Sequence, residues 1–181
     1  MTFNELILSR QSVRRYADTP IEPEKISKCL EAARMAPSAS NSQPWKFIIV
    51  DQEPLCTDVA KATFSDIKLL NKFTVQAPIM IVIVIEKAKL ITRLAMLVKK
   101  KEWPLIDIGI AAEHFCLQAT ELGLGTCMIG WFEEDKIKKL LRIPLDKSIG
   151  LLISLGYAAE GYSQRTKSRK PLEEIVQYNR Y

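Results

Sequence analysis

The stretch SRQSVRRY, residues 9–16, puts Arg10, Arg14 and Arg15 within six positions, interleaved with Gln11 and Ser12. Guanidinium forks pair bidentately with phosphate, and a serine hydroxyl adds a further donor. Arg10 and Arg14, four apart, share a face if the stretch is helical, or converge across a turn. A site for one phosphate and a solvated basic turn both fit such a cluster, and Arg15 is assigned to the second. Another polar stretch, APSASNSQPW from Ala36 to Trp45, offers Ser38, Ser40, Asn41, Ser42 and Gln43 in a loop flanked by prolines. That density of neutral donors suits a sugar-like chain or the edge of a heterocycle, and its plainer reading is a helix-to-strand loop. KSRKP, from Lys167 to Pro171, adds fixed cations near the C-terminus, where a basic tail is the alternative.

Catalysis by the protein's own side chains has little to draw on. The single histidine, His114, has no partner at metal-ligand spacing, and Cys116 two positions away points elsewhere on a helix. A structural role, or a polar contact to a cofactor, is expected of it. No G-x-S-x-G, H-E-x-x-H or P-loop occurs. GLGTCMIG contains a G-x-G but precedes a strand instead of following one, which argues against a Rossmann site.

The elements that must position these residues are readable from periodicity. Phe3, Leu6 and Ile7 lie on one face of a first helix, which ends where the arginines begin. A second helix enters through the Pro-bounded TPIEPEK and carries Ile26, Leu30, Ala33 and Arg34 to a stop at Pro37. Lys46–Asp51 reads as a strand, and so does the β-branched run Ile79–Ile85, apolar on both faces and therefore central. Residues 54–76 read as mostly helical, and Glu86–Lys101 as an amphipathic, lysine-rich helix or lid. Residues 105–125 alternate small and large apolar side chains over about five turns, a closely packed central helix capped at Gly123. TCMIGWF and IGLLISLGYA supply two further strands around a short helix, Glu133–Leu141, before a mixed tail. The elements do not alternate as βαβ units, so an α+β sheet flanked by helices is predicted, in one domain spanning residues 1–181.

With 181 residues, 48% hydrophobic and 26% charged, the chain can bury one core and reads as a soluble globular protein. Its net charge of +5 fits a nucleic-acid surface, an anionic cofactor or mere solubility. Cys29, Cys56, Cys116 and Cys127 form no C-x-x-C pair and follow no leader, so thiols in a reducing cytoplasm are expected. The longest apolar run, Ala77–Ile85, is far below the roughly 18–20 residues of a membrane-spanning helix, and no membrane association is predicted. A basic nucleic-acid-binding module, with Trp45 for stacking, is the reading from a different class. Against it, Tyr16 is the one aromatic residue interleaved with the basic cluster.

Taken in order, RQSVRRY, PSASNSQPW, DIGIAAEHFCLQATELGLGTCMIGWF and GYAAEGYSQRTKSRKPLEEIV resemble the FMN-dependent nitroreductase family over nearly the whole chain. R-x-S-x-R, P-S-x-x-N-x-Q-P-W, G-L-G-T and R-K-P-L-E-E are far more specific jointly than singly. The resemblance implies a mixed, mainly antiparallel sheet flanked by helices, in a homodimer with two FMN sites, each lined by both chains. It further implies a cytoplasmic oxidoreductase with no catalytic side chain and no metal. Such an enzyme passes hydride from NADH or NADPH through FMN in ping-pong order to a small-molecule acceptor, nitroaromatic or quinone-like. By similarity Arg10, Gln11, Ser12 and Arg14 hold the ribityl phosphate and part of the pyrimidine edge, with Lys167 and Arg169 closing on the phosphate. Pro37, Ser38, Ala39 and Asn41 come from the partner subunit, Met128, Ile129 and Gly130 lie along the isoalloxazine, and Asn71 is a further candidate. A backbone N–H of the 128–130 segment is expected at N5. Some relatives carry a glutamate where Gly130 falls, so redox potential and nucleotide preference do not transfer. Reductive dehalogenation, flavin fragmentation and azoline oxidation are alternatives on the same scaffold, and the 86–105 segment, part of the lid by resemblance, names no substrate.

Overall fold

The computed structural model describes residues 1–64, 70–88 and 102–181. Its first helix, α1 (Phe3–Ser9), starts at a capping box: Glu5 N donates to Thr2 Oγ1 (3.3 Å) and Thr2 N to Glu5 Oε2 (2.8 Å). The chain then departs from the helix or turn considered for the arginines. Arg10 has φ −58° and ψ 123°, and the residues after it run alongside the sheet. Ser12 bridges Thr126 in parallel, with Val13 N donating to Thr126 O at 2.8 Å, and Tyr16 bridges Ala158 antiparallel. In extended backbone the side-chain period is two, so Arg10, Ser12 and Arg14 alternate with Gln11, Val13 and Arg15.

Helix α2 (Pro23–Arg34) has proline in its first turn and ends before Pro37, as its pattern predicts. A 3₁₀ turn at Ala39–Asn41 leads into β1 (Trp45–Val50). Residues 54–76 yield α3 (Leu55–Lys61) and a 3₁₀ turn (Lys72–Gln76), with residues 65–69 outside the described ones. Strand β2 is Ile79–Ile85. Of the expected lid, Glu86–Ala88 are irregular and residues 89–101 lie outside the described residues. The central helix is α4 (Trp103–Glu121), stopped by Gly123 at φ +78° with Leu124 N donating back to Ala119 O at 2.8 Å. Strand β3 (Gly125–Ile129), α5 (Glu134–Leu141), β4 (Ser148–Gly156) and the short α6 (Leu172–Ile175) complete the order.

The strands form one antiparallel sheet in the order β1-β2-β4-β3. Residues 10–16 extend its β3 edge, and the parallel bridge from Ser12 to Thr126 makes the sheet mixed. β2 is buried on both faces, which explains its unbroken apolar run. Ile79, Ile81 and Ile83 pack with Ile108, Ala112, Phe115 and Cys116 of α4 and with Cys29 and Ala33 of α2. Met80, Val82 and Val84 pack on the opposite face with Val59 of α3 and Ile137 of α5. A register shift opposite Ile83/Val84 leaves Gly150 unpaired and turns Ile149 onto the α3/α5 face. A Cβ on Gly150 would stand 3.0 Å from Ile108 Cδ1, so the bulge and the close approach of α4 need the same glycine. Each buried isoleucine contributes about 1.5–3 kcal/mol, and they align along the strand that seats both helical layers.

Candidate functional site

A cleft of about 210 Å³ opens between Arg10–Ser12 on one wall and Arg165–Arg169 on the other. The C-terminal wall is tied down residue by residue. Gln11 Oε1 accepts from Arg165 N (3.1 Å), and Gln11 Nε2 donates to Ser163 O (3.4 Å). The Arg165 guanidinium donates to Ser12 O. Gln164 Nε2 donates to Leu8 O (3.0 Å), while Lys167 Nζ donates to Ile7 O (3.0 Å) and to Arg10 O. The last carbonyls of α1, which have no partner within the helix, are thus capped by a cation and an amide, the charge favoured at that end of a helix dipole.

The cleft is electrostatically unbalanced. Arg10, Arg165, Lys167 and Arg169 all line it. A carboxylate reaches Arg10 from outside the two walls: Glu113 of α4, whose Oε1 lies 3.2 Å from Arg10 Nε. Partial burial, then the charges of Arg10 and Arg169, hold the Lys167 ammonium below its ordinary range, and Glu113 offsets this in part. A phosphate dianion supplies the missing charge, and guanidinium, ammonium and hydroxyl donors suit its oxygens. The donor set therefore fits the phosphate end of FMN.

The Arg14 side chain lies outside this cleft. Its guanidinium stands 6.0 Å over the Phe73 ring, and its backbone N donates to Tyr162 Oη at 3.1 Å. Phe73 belongs to the 3₁₀ turn that follows Asn71, and Asn71 Nδ2 donates to Thr63 O (3.0 Å) and Trp131 O (3.3 Å). Arg14, Asn71 and the exit of β3 at Gly130 are thereby gathered at one corner. Met128 is half-buried against the α2/α4 cluster and Ile129 is buried on the other face, so what this segment can offer a ligand is chiefly backbone. A Cβ on Gly130 would meet nothing within 4 Å, which leaves that backbone open. Burial pushes the Cys127 thiol up, against the pull of Arg14 and of the Ser12 hydroxyl. Arg15 turns away: its guanidinium lies 5.8 Å from the Tyr162 ring and donates to Glu160 O at 3.3 Å, where the sequence predicts a solvated side chain.

The Pro37–Asn41 loop does not line the cleft. Ala39 N donates to both oxygens of Asp107 (3.1 and 3.2 Å), a buried carboxylate in the second turn of α4 whose pKa burial raises. Ser38 Oγ accepts from Gln43 N at 2.9 Å, and Ser40, Asn41 and Gln43 hold positive φ angles of 52°, 50° and 48°. Asp107 and Glu113 mark where the loop and the cleft touch α4. They are separated by about 9 Å of rise and about 240° of turn, and so face different ways.

Residues 10–12, Lys167 and Arg169 are therefore brought together; Arg14, Asn71 and Gly130 form a neighbouring group; and Pro37, Ser38, Ala39 and Asn41 stand apart. Arg165, Thr166 and Ser168 also line the cleft, and the basic run in the sequence, from Lys167 to Pro171, does not point to them. The alternation of Arg165, Lys167 and Arg169 was the available signal. Glu113 offered none, since its partner is distant in sequence. His114 Nδ1 lies 3.3 Å from Ala32 O and joins α4 to α2.

Comparison with known proteins bears on the fold and the family. An NADH dehydrogenase of Thermus thermophilus is 26% identical over 196 residues, covering 93% of this chain and 92% of its own. A nitroreductase family protein of Clostridium difficile 630 superposes with a TM-score of 0.81 at 28% identity and full coverage of both chains. An FMN-dependent nitroreductase of Clostridium difficile R20291 superposes with a TM-score of 0.78 at 29% identity, covering 97% of this chain and 98% of its own. The family model of nitroreductases matches residues 7–157, from the end of α1 to the exit of β4, and the chain belongs to the nitroreductase family.

Proposed function

We propose that the protein is an FMN-dependent NAD(P)H oxidoreductase acting as a homodimer on small nitroaromatic or quinone-like acceptors. The observation that carries this reading is the cationic cleft at Arg10, Lys167 and Arg169, with Arg14, Asn71 and the open Gly130 backbone at the adjoining corner. When bound, FMN supplies hydride acceptance and donation, a chemistry no amino-acid side chain offers.

The chain's own groups bind and orient. Arg10, Lys167 and Arg169 hold the phosphate, with Gln11 and Ser12 beside the ribityl chain. Arg14 places a fixed positive charge at the pyrimidine edge, where negative charge develops on reduction. Asn71 Nδ2 donates to the Thr63 and Trp131 carbonyls, which fixes the amide plane and makes Oδ1 the atom that accepts from a ring N–H. Residues 128–130 present backbone N–H groups to the ring. The nucleotide and the acceptor occupy the same place in turn, giving ping-pong order.

Two observations support the dimer. The Pro37–Asn41 loop and the cleft face different ways in one chain, so the loop serves the site of a second copy. Phe3 and Ile7 of α1 and Leu105 and Ile106 of α4 are exposed, an apolar surface on two helices that pack together. Among the described residues no helix is long and apolar enough to cross a membrane.

Purified protein is expected to be yellow, or to become so with FMN, and its visible absorbance is expected to bleach with NADH or NADPH and return with a nitroaromatic or quinone. A colourless protein that takes up no FMN refutes the reading.

A further inference from the structure

We propose that Glu113 is the positioning residue of the phosphate cradle: its carboxylate, ion-paired with the Nε side of Arg10, holds the Arg10 guanidinium at the cleft and leaves its terminal amino groups for a ligand. The inference rests on the reading of the cleft as the FMN phosphate site. Glu113 lies on the central helix, outside both cleft walls, and meets Arg10 at 3.2 Å through Nε, the one nitrogen on the inner edge of the guanidinium fork. A carboxylate bound there leaves the four N–H bonds of the two Nη atoms for a second, bidentate partner.

Two features argue that this pair serves the ligand and not the fold. The Glu113 side chain is 42% exposed and that of Arg10 23%, a setting in which an ion pair adds about 0–1 kcal/mol to stability. The Arg10 backbone is already fixed without it, by Arg10 N donating to Leu6 O (2.9 Å) and by Lys167 on its carbonyl. What remains free is the long Arg10 side chain, in a cleft whose other cations repel it. Glu113 is the counter-charge that holds it. The Arg10 guanidinium is thereby ordered before phosphate arrives, and binding is spared that entropy cost.

The test compares FMN with riboflavin, which lacks only the phosphate, by flavin fluorescence on flavin-free protein. Glu113→Ala is expected to weaken FMN about tenfold, equivalent to about 1.4 kcal/mol, and to leave riboflavin unchanged. Glu113→Gln, which keeps the size of the side chain and removes its charge, is expected to lose as much FMN affinity as Glu113→Ala. In an Arg10→Ala background, Glu113→Ala is expected to cost nothing further. Equal losses for FMN and riboflavin, an undiminished loss in the Arg10→Ala background, a Gln variant as tight as the wild type, or unaltered FMN affinity each overturn the proposal while leaving the flavin reading intact. Wild-type protein that binds neither flavin overturns both.

Discussion

Gly125→Ala tests whether the arginine-bearing strand is truly seated on the sheet. A Cβ at residue 125 would stand 2.6 Å from Val13 Cγ2, 2.8 Å from Val13 Cβ and 3.0 Å from Val13 Cγ1. Carbon atoms pack at about 3.5–4.0 Å, so residues 10–16 must retreat by about 1 Å. The bond from Val13 N to Thr126 O, now 2.8 Å, then lies beyond hydrogen-bonding distance. Overpacking of about 1–3 kcal/mol and a lost backbone hydrogen bond of about 0.5–1.5 kcal/mol sum to a destabilisation of about 1.5–4.5 kcal/mol. Arg10 and Ser12 move with the strand, so FMN affinity should fall with stability. The assay is denaturant unfolding of flavin-free protein together with FMN titration. Adding Val13→Ala removes the clashing methyl groups, and the double variant should be less destabilised than the sum of the single ones by about 1 kcal/mol or more. Wild-type stability and FMN affinity in Gly125→Ala, or strict additivity in the double variant, would show that the strand does not lie against β3.

Arg14→Ala is expected to weaken FMN retention and Arg15→Ala to leave it unchanged, because the Arg15 guanidinium is spent on Tyr162 and Glu160; equal loss in flavin-release measurements contradicts the division. Ile106→Lys puts a charge on the exposed apolar face of α4 and should give a monomer by sedimentation that no longer retains FMN, whereas a monomer keeping its flavin contradicts the shared site. Burial raises the Asp107 pKa above its ordinary 3.8, so its contribution to stability is complete below that value and is lost as pH rises through the folded-state value. Asp107→Asn keeps an acceptor for Ala39 N and should be more stable than the wild type at pH 7, the gap closing towards pH 3; lower stability at pH 7 in denaturant unfolding counts against this.

The strength of a local signal decided what could be read from sequence. β2 declared itself because a strand buried on both faces carries an unbroken apolar run, and α4 because Gly123 ends it with positive φ. The Glu133–Leu141 helix differs from α5 by a single residue at its start. The conformation of residues 10–16 was not legible. Four-residue spacing suggested a helix, but the pairing with β3 that keeps the stretch extended is made by residues more than a hundred positions away. Individual cation positions were legible only as composition. That Lys167 caps α1 while facing the cleft, and that Arg165 closes on Ser12, depends on the return of the C-terminal segment. The distribution of residues over two site groups and a separate loop likewise follows from tertiary placement.

Extended backbone also explains why one short stretch can serve several purposes at once. Val13 and Tyr16 are buried, and the Tyr16 hydroxyl lies 2.7 Å from Ser154 Oγ and donates to the main chain nearby, anchoring the segment to β4. Burial drives the Tyr16 phenol far above its usual range, so it stays neutral and remains a donor at any working pH. Arg10 and Ser12 line the cleft, Arg14 reaches the Phe73 corner, and Arg15 braces the return turn. A helix would have placed Arg10, Val13 and Arg14 on one side, forcing an apolar anchor and two cations to share it. Since the anchors and the cleft-lining residues lie within one short extended stretch, anything that loosens the anchor loosens the cleft wall, and a ligand held there must stabilise the β3 edge by the same linkage.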